Sequence, residues 1–335
     1  MTSTRRLRGL LSGVALAVAV VAGAFSPVGA SAKLLTKPDG VVRHDIEVTT
    51  VDPTAVQAPN RWTGKPNRNF VLAPQNPANR KKKLFLYIVG SGISETTAQE
   101  ILYAGARRGY NAIAIAYRNY EAVVPLCAHS SDDDCTGKVR EEILTGVDLT
   151  PLVTVTPKDA LEPRLQKLLV YLRATYPAEG WGDFLNGADI DWSMISAAGH
   201  SQGAGHVALL AKRHEMYRAV MISGVADFTS SGKPAPWLFR ANATPVDRQY
   251  GFTNVDDMTV RLPLAEGSWK AIGLKGPMTS VDGKKPDFGG SHMLSTAVQP
   301  SGRNVHVGMV DDDTLARGPD GAPVHEPVWD FLIFP

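Results

Sequence analysis

Cysteine is nearly absent: Cys127 and Cys135 are the only two among 335 residues. That excludes a small disulfide-stapled fold and any zinc site built on several thiolates. The chain also lacks a zinc-ligand signature of any kind, a glycine fingerprint for dinucleotides after a strand pattern, internal repeats and long low-complexity tracts beyond its first residues. Charge of one sign is missing too, with 35 basic against 33 acidic residues. Even the small positive balance is confined to the start. Arg5, Arg6 and Arg8 precede an apolar run from Gly9 to Phe25, and Ala30-Ser31-Ala32 offers small residues for cleavage, the layout of a secretory signal peptide. The run is rich in Ala and Gly and only marginally long enough to cross a bilayer, so cleavage near Ala32 and release are expected. Without residues 1–32 the chain keeps 32 basic and 33 acidic residues, a net charge of −1. Nucleic acid is therefore not an expected partner, nor is stable membrane insertion once the leader is gone.

Removing 32 of 335 residues leaves 303, enough for one large α/β domain over 33–335. In an exported chain, two cysteines separated by the polar loop Ala128–Asp134 are expected to form a disulfide. Closing so short a loop pins a local excursion rather than the whole fold.

From residue 83 onward, β-branched and aromatic runs alternate with helical patterns, which predicts a mostly parallel sheet with helices on both faces. Strands are expected at Lys83–Val89, Asn111–Tyr117, Met194–Gly199, Arg218–Ser223, Gln249–Thr253 and His292–Val298. Helices are expected over Thr96–Arg108, through Leu161, Leu165, Leu168, Leu169 and Leu172, through Val207–Ala211, over Leu264–Leu274 and over Pro327–Phe334. Asp159 with Glu162 three residues on predicts a capping box. Val41–Val51 and Asn69–Leu72 read as antiparallel edge strands. Two excursions break the alternation, 119–157 with both cysteines and 229–247 with Trp237, Leu238 and Phe239, and such excursions at strand ends are where α/β enzymes build pockets.

Gly199-His200-Ser201-Gln202-Gly203 is G-x-S-x-G, and it falls between an expected strand and an expected helix. In that setting a sharp turn exposes the serine oxygen, and glycines let strand and helix nearly touch. On this stretch the chain resembles the α/β-hydrolase superfamily, in which Gly-His-Ser-Gln-Gly is a form common among lipases and esterases. The resemblance covers nearly the whole mature chain by element order, although only this turn is specific in sequence. It implies a nucleophile after one strand, an acid after a later strand and a histidine after the last.

Eight histidines are present. His44, His129, His200, His206 and His214 precede the last expected strand, and His325 opens the closing segment. His306 lies in the loop after that strand, where the superfamily places its base; His292, at the strand's start, is the alternative. For the acid, Asp257 follows the fifth strand, and Asp257-Met-Thr-Val260 resembles the Asp-x-x-Val pattern often seen after that residue. Asp256 and Asp227 are alternatives. The expected triad is Ser201, Asp257 and His306. The oxyanion formed by attack needs donors, expected from the backbone N–H of Gln202 and from Gly90-Ser91-Gly92 after the first core strand, with Ser91 leading. Asp132–Asp134 and Asp311–Asp313 are acidic but lack a calcium-loop spacing, so no metal is expected. No cofactor is implied. The function expected is hydrolysis of a small-molecule or lipid-like ester. The same residues also suit acyl transfer to an alcohol or sugar, or peptide cleavage, and a scaffold without catalysis would serve as a binding protein.

Overall fold

β-Branched, aromatic and small apolar runs set the strands. Val41–Glu47 (β1) and Arg68–Pro74 (β2) pair antiparallel, Val41 opposite Pro74 and Glu47 opposite Arg68. Leu84–Ile88 (β3) and Asn111–Ala114 (β4) are parallel neighbours, buried at every position. Ile195–His200 (β5), Arg218–Ile222 (β6), Gln249–Asn254 (β7), the short Thr279–Ser280 (β8) and Met293–Thr296 (β9) complete the sheet. The computed structural model describes residues 38–56, 64 and 66–335; the expected leader and its cleavage point near Ala32 lie outside the described residues. Among the described residues the sheet has nine strands in the order β1-β2-β4-β3-β5-β6-β7-β9-β8. Only the β1–β2 and β2–β4 pairs are antiparallel.

The principal helices are Gln99–Arg107 (α1), Val123–Cys127 (α2), Cys135–Thr145 (α3), Leu161–Thr175 (α4), Gln202–Arg213 (α5), Leu262–Ile272 (α6) and Glu326–Ile333 (α7). After β3 the chain crosses to β4 on one side, and after β5 it crosses to β6 on the other. Right-handed crossovers then put α1 and α5 on opposite faces. Accordingly α7 packs against α1, while α3 packs against α4 and α5. The result is an α/β fold, a mostly parallel sheet with helices on both faces. The reversal between β3 and β5 leaves a crevice beyond their carboxyl ends, the place where open α/β sheets bind ligands.

Several boundaries differ from expectation. The first helix begins at Gln99, not Thr96, because Asp312 accepts hydrogen bonds from the Gln99 and Glu100 amides at 2.7 and 3.0 Å and caps it from afar. The Asp159–Glu162 capping box does not form. Ala160 occupies the N-cap, and Asp159 instead accepts from the Val56 amide, the Thr156 hydroxyl and Arg164. The leucine stripe of α4 is buried as its spacing predicts. Val48–Val51 turns helical after β1 rather than continuing the strand. At the other end of the chain, the Ser196 hydroxyl of β5 donates to the Ile333 carbonyl at 2.6 Å, and Phe334 meets Phe85 and Tyr110 edge-on with ring centroids 5.0 and 5.2 Å away.

The excursion between β4 and α4 is structured. Cys127, the last residue of α2, is disulfide-bonded to Cys135, the first of α3, with Cα atoms 5.7 Å apart. Beyond α3, the buried carboxylate of Glu142 accepts from the amides of Leu149, Thr150 and Val155, holding the loop that follows.

Candidate active site

β5 delivers a run of small buried residues to the crevice, and at Ser201 the backbone turns sharply, with φ 56° and ψ −118°. This is a left-handed conformation that costs a residue with a side chain about 1–3 kcal/mol unless its surroundings enforce it. Here they do. The Ser201 amide donates to the Ile222 carbonyl at the end of β6 at 2.9 Å, and the Ala204 amide donates to the Ser201 carbonyl at 3.0 Å. Gly203 allows the helix to sit against β3, since a Cβ there would overlap the Ile88 carbonyl. Ser201 itself is half-buried, its side chain at the start of α5.

Asp257 sits in the turn after β7 and His306 in the loop after β9, 49 residues later. His306 Nδ1 and Asp257 Oδ2 are 2.7 Å apart. The other carboxylate oxygen accepts from the amides of Thr259 and Val260, both at 2.9 Å. Burial pushes the Asp257 carboxyl up, but His306 and the two amides outweigh it and hold the group below the ordinary carboxylate range. An ionised acceptor requires that Nδ1 carry the hydrogen, which leaves Nε2 as the acceptor nitrogen of a neutral ring.

His200 joins the two halves. It precedes Ser201 in the chain, its Nε2 donates to the His306 carbonyl at 2.9 Å, and its ring lies 4.7 Å from that of His306. Burial, with the repulsion His306 exerts when protonated, lowers His200 to about 3, so it stays neutral and keeps this hydrogen bond. This link joins residues 106 positions apart and leaves no local signal in the sequence.

Ser91 lies in the loop after β3, and its hydroxyl donates to Gln202 Oε1 at 2.7 Å, which commits its side chain to Gln202. The Gln202 amide is the first of α5 and has no acceptor within its helix. Asp256 is exposed and accepts from Gln299. Asp227 is fully buried against Arg140 and does not meet His306. His292 stacks on Tyr250 at 4.2 Å and contacts the Gln249 carbonyl at the amino end of β7, the end of the sheet away from Ser201. Among the described residues no group of three or more His, Cys, Asp or Glu is arranged to hold a metal ion, and no helix is long and apolar enough to cross a membrane.

No protein-family model and no curated protein matches the sequence. Among solved structures the chain is similar to TT1662 from Thermus thermophilus, with 13% identity, a TM-score of 0.38, and coverage of 76% of this chain and 87% of that one.

Proposed function

We propose that the protein is an exported serine hydrolase that cleaves carboxylic esters through an acyl-enzyme on Ser201. The observation that carries this reading is the 2.7 Å Asp257–His306 contact, packed against the residue that precedes a serine in a strained strand-to-helix turn. A hydroxyl is a poor nucleophile near neutral pH, so attack requires a base. Ser201 Oγ attacks the ester carbonyl carbon while its proton passes to His306 Nε2, and Asp257 stabilises the imidazolium that forms. The carbonyl oxygen becomes an oxyanion held by the backbone N–H groups of Gln202 and Ser91. Collapse expels the alcohol, which takes the proton from His306. Water then repeats the sequence on the acyl-enzyme and releases the acid and free Ser201. Export is supported by the Cys127–Cys135 disulfide, a bond that persists in oxidising compartments.

The test is labelling of the purified protein by a fluorophosphonate probe, with Ser201→Ala alongside. Labelling that the substitution abolishes is expected; an unlabelled wild type overturns the reading in favour of a non-catalytic scaffold. A chain-length series of chromogenic esters then assigns the acyl preference, rates peaking at two to four carbons marking an esterase and long chains a lipase.

A further inference from the structure

Arg140, in α3, is 2% exposed although its guanidinium carries a permanent charge. Two of its nitrogens form a fork on Asp227, in the segment after β6: Nε donates to Oδ2 at 2.7 Å and Nη2 to Oδ1 at 2.6 Å. Trp237 Nε1 adds a third donor to the same carboxylate at 3.0 Å. The remaining guanidinium nitrogen, Nη1, donates to the main-chain carbonyl of Gln202 at 2.9 Å. It reaches that carbonyl because Gly205 has no side chain; a Cβ there would overlap the guanidinium.

A buried ion pair is an inefficient way to hold a fold together, since apolar residues of similar volume commonly do as well or better. What this pair does that apolar residues cannot is hold Gln202. That residue carries one of the proposed oxyanion donors on its amide. Its side-chain oxygen accepts from the Ser91 hydroxyl at 2.7 Å and from the Val123 amide at 3.0 Å, so it also fixes the loop that carries the other donor and the start of α2. Asn119 also holds the Ser91 loop, donating to the Gly90 and Ile93 carbonyls at 3.0 and 2.8 Å, but the side-chain hydrogen bond that joins this loop to the start of α5 runs through Gln202, whose carbonyl Arg140 grips.

We propose that Arg140, oriented by Asp227, is a positioning residue for oxyanion stabilisation in the proposed ester hydrolysis. It touches no reacting atom. By fixing the Gln202 carbonyl it aims the first turn of α5, and through the Gln202 side chain it holds the loop that carries the Ser91 amide. Misaimed donors weaken binding of the transition state and leave binding of the ester little changed, so the loss falls on kcat.

The test replaces the pair together, Arg140→Met with Asp227→Leu, in the full chain. Expected are a Tm close to that of the wild type, a kcat on a short chromogenic ester lower by about 30- to 100-fold, and a KM changed less than about threefold. A boronic acid, which mimics the tetrahedral intermediate, should bind more weakly by a similar factor. Arg140→Lys covers the case in which the double variant does not fold. It keeps the charge but cannot fork onto Asp227 and reach Gln202 at once, and a kcat about tenfold lower at unchanged KM is expected. Wild-type kcat and boronate affinity in either folded variant overturn the role of Arg140 while leaving the hydrolase reading in place. A wild type that neither hydrolyses esters nor takes the fluorophosphonate overturns both.

Discussion

At the scale of single residues, the proposed chemistry rests on conformations that isolated side chains would not choose. Ser201 holds a φ of 56°, a region that glycine enters freely and serine does not. Ser201→Gly is therefore expected to raise stability by about 1 kcal/mol while abolishing activity, where Ser201→Ala abolishes activity without that gain. Denaturant titration of both variants checks the difference. Asp257→Asn keeps the size of the side chain but removes the charge that fixes a hydrogen on His306 Nδ1. Its kcat is expected to fall by roughly ten-thousandfold, as a histidine held in the wrong tautomer cannot accept the Ser201 proton.

At the scale of elements, Gly203→Ala should cost about 1–3 kcal/mol, because α5 must back away from the Ile88 carbonyl, and a chemical denaturation midpoint reports it. Reducing the Cys127–Cys135 bond, which spans eight positions, should cost about 2–3 kcal/mol and lower Tm by several degrees in a scan with and without reductant. The alternation of strands and helices was legible because parallel strands buried on both faces and a leucine stripe such as that of α4 leave periodic traces. Glycines around a serine marked the turn for the same reason, a local one. What stayed illegible was set by distant partners. Asp159 looked like a cap and was drawn off to Val56 and Arg164. Asp227 could be weighed as the acid because nothing near it announces Arg140, 87 residues away. The helices inside 119–157 were missed because α3 turns Thr136, Arg140 and Glu142 inward, and polar residues at buried positions erase the pattern that reveals a helix.

At the scale of the whole molecule, buried titratable groups set opposing slopes of stability with pH. Burial raises Glu95 from 4.5 to about 8. The unfolded chain releases that proton first, so the stabilisation is complete below about 4.5 and is lost as pH rises through 8. His200 and His325 are lowered by burial from 6.5 to about 3 and about 4. The unfolded chain takes up those protons first, so their contribution is complete above 6.5 and falls away in acid. Tm is expected to peak between about pH 6 and 7, and Glu95→Gln should make the alkaline limb shallower and the acid limb above about pH 4.5 steeper, each slope being about 1.4 kcal/mol per unit per group. A pH series of thermal scans on both proteins tests the pattern. The contact between Ser196 and Ile333 works at the same scale. It ties the strand that leads to Ser201 to a residue 137 positions later, with Phe334 wedged between Phe85 and Tyr110 just beyond. Proteolytic trimming of a few carboxyl-terminal residues would therefore open the floor of the sheet rather than shorten a tail, so a clipped chain would present itself to other proteases as an unfolded one.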